Sequence, residues 1–171
     1  KDGEAYHYRR FTTGVEADVA IEFLRNRKGQ RDASKPFSLF LSVNPPHTPY
    51  HRLTDCKEEV FNQYYKDLKT EEVLLRPNVQ VGEGTQVKNK ERLTFEAKIY
   101  FSLIKSVDDE IGRVLKVLDE EGLADNTILV FAADHGEMMG SHGRMAKSVI
   151  YDESFSIPFF IRYPGQLKPG V

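Results

Sequence analysis

The sequence has no tryptophan, a single cysteine and no excess of either charge. One thiol cannot build an internal disulfide framework, and no Cys/His zinc spacing can be assembled around it. Lys plus Arg number 24 against 26 Asp plus Glu, a formal net charge of −2. Without a basic excess to neutralise a phosphate backbone, general nucleic-acid binding is a poor reading. No apolar run approaches the ~18 residues of a membrane span, and Lys1 begins no signal peptide. Internal repeats and low-complexity tracts are also absent. What is present, 40% hydrophobic residues with 11 Phe and 8 Tyr in 171, is the composition of a folded chain rather than a disordered one. The length suits one ordinary domain.

Ala17, Ala20, Ile21 and Leu24 recur at helical spacing behind a Thr13-x-x-Glu16 capping box, which predicts a helix from about Gly14 to Arg27. A polar connection leads to Phe37–Val43, a nearly continuous apolar run stopped by Pro45 and Pro46. Its content predicts a strand buried on both faces, as in a parallel sheet covered by helices. Thr48 to Lys90 is a long, weakly patterned excursion with a short helix expected around Asp55 to Leu68, and excursions of this length are commonly functional loops. From Ile99 through Leu103, Val107, Ile111 and Val114 to Leu118 a single helical face is unmistakable, with Gly122 as its C-cap. Ile128–Ala132 and Ile157–Tyr163 predict two further strands, Pro158 being tolerated only at a strand start or edge. The alternation of helix and strand gives an α/β layered domain with a mainly parallel sheet flanked by helices.

In such sheets ligands sit beyond the carboxyl ends of the strands. Asn44-Pro-Pro-His47-Thr-Pro-Tyr50 follows the first strand, and Ala133-Asp134-His135-Gly136-Glu137 follows the second, leading to Gly140-Ser-His142-Gly-Arg-Met-Ala-Lys147. If both strands share one parallel sheet, these residues converge on a cleft. Asp134 and His135 could hold a cation there, and His47 and Lys147 could neutralise a tetrahedral oxyanion. Singly, each has a plain alternative: Asp-His-Gly is a common turn, His47 an ordinary loop residue, Lys147 a solvated lysine. Tyr50, His51 and Arg52 could line a substrate pocket. Cys56 reads as an incidental thiol, and the Tyr64/Tyr65 and Phe159/Phe160 pairs as core.

Taken together, Lys35–Tyr50, Leu75–Val79, Tyr100–Arg113, Asp125–Gly136, Met139–Lys147, Tyr151–Ser154 and Ile157–Phe159 resemble the type I sulfatases of the alkaline phosphatase superfamily, over a span from about Tyr6 to Gly170. The resemblance implies that Asp134 and His135 bind a divalent cation. Calcium is the family's usual ion, with magnesium, manganese and zinc left open by the softer imidazole. It implies that His47 and Lys147 contact the sulfate ester and assist the leaving oxygen, with His142, Tyr50 and Arg52 as further substrate contacts. It implies a sulfated carbohydrate or an aryl sulfate as substrate, and export from the cytoplasm. Ala133 stands where the family has Ser or Thr. The family's nucleophile, a formylglycine made in a Cys/Ser-x-Pro-Ser-Arg motif, has no counterpart here. The chain therefore reads as a central to C-terminal part of a partial alkaline-phosphatase-like catalytic domain, 1–171, inactive alone and prone to self-association. A phosphate or phosphonate ester hydrolase of the same superfamily, or a non-catalytic relative, is the alternative.

Overall fold

The computed structural model describes residues 11–168 and 170, so the start of the resemblance at Tyr6 lies outside it. Helix α1 spans Thr12–Arg25 and begins earlier than the expected Gly14. Thr13 is thereby drawn inside the helix, where its buried hydroxyl finds no partner; Phe11 is the N-cap residue, and the expected capping box does not form. The helix stops at Asn26, whose φ of 49° is left-handed. There the Asn26 side chain both donates to and accepts from the backbone of Arg31, at 2.9 Å each.

Helix α4, Lys90–Glu120, is the spine of the molecule. It starts well before the expected Ile99 because Asn89 caps it, its Oδ1 accepting the Arg92 N–H at 2.6 Å. Over 31 residues it is about 46 Å long, enough to serve two separate cores. Its N-terminal half buries Leu93, Ala97, Ile99 and Leu103 with Tyr50, Phe61, Val73 and Val87. Its C-terminal half sets Val114, Val117 and Leu118 against Ala17, Ala20, Ile21 and Leu24 of α1. Between them, Ser102 and Ser106 turn their hydroxyls back onto the Lys98 and Ser102 carbonyls, so the buried polar groups are satisfied within the helix.

The excursion before α4 is less regular than the expected helix at Asp55–Leu68. A 3₁₀ turn at Leu53–Asp55 precedes α2 (Glu58–Val60), which runs into a π turn at Phe61–Tyr65, and α3 covers Thr70–Val73. Strands β1 (Leu129–Ala132) and β2 (Phe159–Arg162) form where expected, but they pair antiparallel, with Phe131 opposite Phe160 and their rings stacked at 4.9 Å. A short helix, α5 (Asp152–Phe155), lies in the return between them.

Phe37–Val43 forms no ladder with any described segment. Apolar, β-prone residues supply the side chains of a strand, but a strand also needs a partner backbone, and among the described residues none pairs with it. Phe37 and Leu41 pack on the α1–α4 core while Phe40 is 91% exposed, so only one face is covered. The parallel pairing expected between this segment and Ile128–Ala132 is accordingly not made among the described residues. Among the described residues, no helix is long and apolar enough to cross a membrane.

Candidate active site

Two loops meet although their sequences lie far apart. The first, Asn44–Arg52, leaves the Phe37–Val43 segment; its Pro45–Pro46 and Thr48–Pro49 bonds are cis. His47 is exposed on it, with Nδ1 3.0 Å from the Thr48 carbonyl oxygen. A carbonyl accepts only, so this contact places the ring proton on Nδ1 and leaves Nε2 with a lone pair. Lys147 Nζ lies 3.1 Å from that Nε2, across 100 residues of sequence. An ammonium donating to an imidazole lone pair is the consistent assignment.

The second loop, Asp134–Ser148, is bent hard. Met139, His142, Ala146 and Ser148 all have positive φ, between 41° and 73°, without being glycine. Each such residue costs on the order of 1–3 kcal/mol and persists only where its surroundings enforce it. Here they do. Met138 N–H donates to the Ala146 carbonyl and Gly140 N–H to the Arg144 carbonyl, both at 2.8 Å, folding the loop onto itself. His142 N–H donates to the Asn78 carbonyl at 2.8 Å, and the Arg76 guanidinium donates to the carbonyls of Glu137 and Met138 at 2.9 and 3.1 Å. The Leu75–Val79 segment is thus a brace for the loop bearing Lys147.

Asp134 extends into solvent, its side chain 87% exposed. His135 Nδ1 lies 2.7 Å from the Gly136 carbonyl, to which it must donate, so its Nε2 carries a lone pair. That Nε2 is 3.5 Å from Asp134 Oδ2. Two electron-rich atoms at this spacing suit a shared cation, and the fixed tautomer is the usual arrangement behind a ligating histidine. Asp134 and His135 therefore fit a metal as two of its ligands. Among the described residues no cluster of three or more His, Cys, Asp or Glu exists to complete a coordination shell. Gly136 is required by packing: a Cβ there would lie 2.1 Å from the Glu153 carbonyl oxygen of α5.

The remaining sequence-predicted residues stand as follows. Tyr50 is buried at 4% exposure, its ring edge-on to Tyr100 of α4 at 5.7 Å, and its hydroxyl donates to Glu137 Oε2 at 3.3 Å. Burial first, and Glu137 second, push its phenol above the ordinary tyrosine range. His142 is half-buried, stacked on Tyr151 at 4.0 Å, with its Nε2 accepting from the Asn78 amide at 3.0 Å. The same amide donates to Glu153, holding that carboxyl below its ordinary range. Arg52 is exposed, and its N–H donates to Asp55 at 2.9 Å. His51 binds Glu96 on α4 at 2.9 Å. Cys56 is half-buried with its thiol pushed up to about 11 by burial, and it lies outside both loops. Arg76, Asn78, Glu137 and Glu153 were not singled out from sequence; all four lie within the matching words quoted above or directly beside them, which was the available signal.

The Sulfatase family model matches residues 11–171. An endo-4-O-sulfatase of Bacteroides thetaiotaomicron is 37% identical over 171 residues, 99% of this chain and 32% of the relative. A solved structure concerned with the metabolism of multiple glycosaminoglycans by Bacteroides thetaiotaomicron superposes with a TM-score of 0.86 at 36% identity, over 97% of this chain and 32% of its own. A phosphonate monoester hydrolase of Agrobacterium radiobacter superposes less well, with a TM-score of 0.59 at 27% identity, over 88% of this chain and 33% of its own. The chain thus spans about a third of the length of the relatives it matches, and the fold it shares with them is the alkaline-phosphatase-like α/β fold.

Proposed function

Since this chain belongs to the sulfatase family, we propose that the whole protein hydrolyses sulfate esters, of a sugar or an aryl alcohol, and that this chain is a central to C-terminal part of its catalytic domain. The observation that carries the reading is the His47–Lys147 contact, which sets an imidazole and an ammonium side by side at the ends of two loops. A sulfate ester placed against them meets positive charge on its oxygens and a proton source for the departing alcohol. With Nε2 of His47 unprotonated, the proton for the departing oxygen is the Lys147 ammonium's, passed directly or by way of His47 Nε2, and Lys147 is left as the neutral amine. The attacking group comes from a formylglycine segment upstream of Lys1. Asp134 and His135 would be the residues to hold a divalent cation, calcium by family habit, and its charge would offset that of the sulfate oxygens. Export from the cytoplasm follows from the same family reading.

Transfer to phosphonate or phosphate esters is the second reading, favoured by the superposition on the phosphonate monoester hydrolase. The sulfate reading is better supported, because the family model and the higher identity both favour it. The test is to read the coding sequence upstream of Lys1 and assay the full-length protein on p-nitrophenyl sulfate and phenyl phosphonate esters side by side. A Cys- or Ser-x-Pro-Ser-Arg word with faster sulfate turnover is expected. A threonine nucleophile with preference for the phosphorus ester would overturn the reading, and no turnover of either, nor of a sulfated carbohydrate, would make this a non-catalytic relative.

A further inference from the structure

Tyr50 and Glu137 join the two loops at a second point, behind the His47–Lys147 contact. Glu137 accepts twice: Oε2 from the Tyr50 hydroxyl at 3.3 Å, and Oε1 from the Met139 N–H at 3.3 Å. The next rung is Met138 N–H to the Ala146 carbonyl at 2.8 Å, so Glu137 and Lys147 are the residues that directly flank this rung in sequence. Lys147 reaches His47, and His47 leads back through Thr48 and Pro49 to Tyr50. The contacts close a ring. Within it Tyr50 is the anchored member, its ring buried against Tyr100 of α4, while His47 and Lys147 face outward.

We propose that the Tyr50–Glu137 hydrogen bond is a positioning tie: it fixes the loop bearing Lys147 against the loop bearing His47, and so sets the distance at which the pair meets the leaving oxygen. The proposal rests on the sulfate-ester reading above. The role assigned to each residue is to hold the loops together, not to act on the ester. A long, flexible lysine at the end of a loop with four left-handed non-glycine residues would otherwise sample many positions, and misplacing a proton donor by ~1 Å costs up to about 100-fold in rate.

A positioning tie for the proton-donating pair differs from a merely structural contact in its dependence on the leaving group. Acidic alcohols depart without help; poor leaving groups need the proton. The experiment is kcat/KM of the full-length protein on aryl sulfates graded from p-nitrophenyl sulfate to phenyl sulfate, for wild type, Tyr50→Phe and Glu137→Leu, with Tm measured alongside. Tyr50→Phe keeps the buried ring and removes only the hydroxyl. The expected result is a loss of about 10-fold on phenyl sulfate and less than about threefold on p-nitrophenyl sulfate, with Tm nearly unchanged. In a Lys147→Ala background the same change should add no further leaving-group dependence. An equal loss across the series, or losses that simply multiply in the double variant, overturns the proposal. If Tyr50→Phe fails to fold, Glu137→Leu decides in its place, since it removes both acceptor oxygens, which Gln would not, and leaves the tyrosine packing in place. A wild type that cleaves no aryl sulfate and releases no sulfate from a sulfated carbohydrate refutes the sulfate reading separately; the tie then still requires the His47 imidazole ¹⁵N resonance to shift in Tyr50→Phe, and an unmoved resonance refutes it.

Discussion

At the scale of single residues, His47 and Lys147 are distinguished by what each leaves open. Hydrogen bonding to Thr48 occupies Nδ1 of His47, so all its remaining chemistry is at Nε2, where Lys147 sits 3.1 Å away. His47→Ala and Lys147→Ala should each lower kcat/KM of the full-length protein on sulfate esters by about 10²–10⁴-fold, the usual weight of a positioned acid–base group. Lys147→Arg should restore little, because a planar guanidinium cannot replace a compact ammonium at the same point. Gly136 gives a prediction of a different kind. A Cβ there runs into the Glu153 carbonyl, which belongs to backbone and cannot swing aside. Gly136→Ala should destabilise by about 1–3 kcal/mol and weaken cation binding through the adjacent Asp134 and His135, read by thermal melts and calorimetric titration. The positions of these residues were legible in sequence because they follow apolar runs within matching words. The direction of Tyr50 was not: an aromatic beside two polar neighbours reads as a pocket wall, and only packing against α4 shows it turned inward.

At the scale of elements, α4 joins the two cores, and Glu110 lies on it where it faces both α1 and α2. Its carboxylate, buried at 7% exposure, accepts from Lys57 at 2.8 Å and also from Arg113, which in turn reaches Asp18 of α1 at 2.6 Å. Burial alone would raise the Glu110 pKa from its ordinary 4.5, but the hydrogen bonds and charges of Lys57 and Arg113 outweigh it and lower the value. A carboxyl lowered on folding contributes stability that is fully present above pH 4.5 and lost as pH falls through its folded value. Glu110→Gln should therefore melt below wild type at neutral pH, by the equivalent of about 1–3 kcal/mol. The gap should close as the pH falls below 4.5 and on through the lowered folded value, beyond which both proteins carry a neutral side chain; a gap independent of pH would overturn this account. The helical face of α4 was readable from periodicity alone, whereas its true start was hidden behind a polar first turn that only the Asn89 cap explains. The Phe37–Val43 strand was over-read for the opposite reason. Apolar content there is real, but ladder formation depends on a neighbouring backbone that local sequence cannot supply.

At the scale of the molecule, the apolar surface is uneven in a way that separates the two halves of the fold. Around α4 the side chains close into ordinary cores, with Leu93, Ala97, Ile99 and Leu103 almost wholly buried. Around the sheet they do not. On β1 and β2, Val130, Phe159, Phe160 and Ile161 are all exposed, and Phe40, Ile150 and Phe155 project from segments outside the sheet at 81–93% exposure. Isolated apolar residues on a surface are normal, but this many beside a two-stranded sheet with unpaired outer backbones form a template for further association. The isolated 171-residue chain should therefore self-associate through its sheet. Sedimentation velocity over a range of concentrations is expected to show a weight-average mass that rises above 19.6 kDa. Phe159→Lys combined with Phe40→Lys should shift it back toward the monomer, since each puts a charge on an exposed apolar position without entering a core. A monodisperse monomer at high concentration in the unmodified chain would mean that these side chains repack against one another in solution, and the exposed sheet face would then not be an association surface.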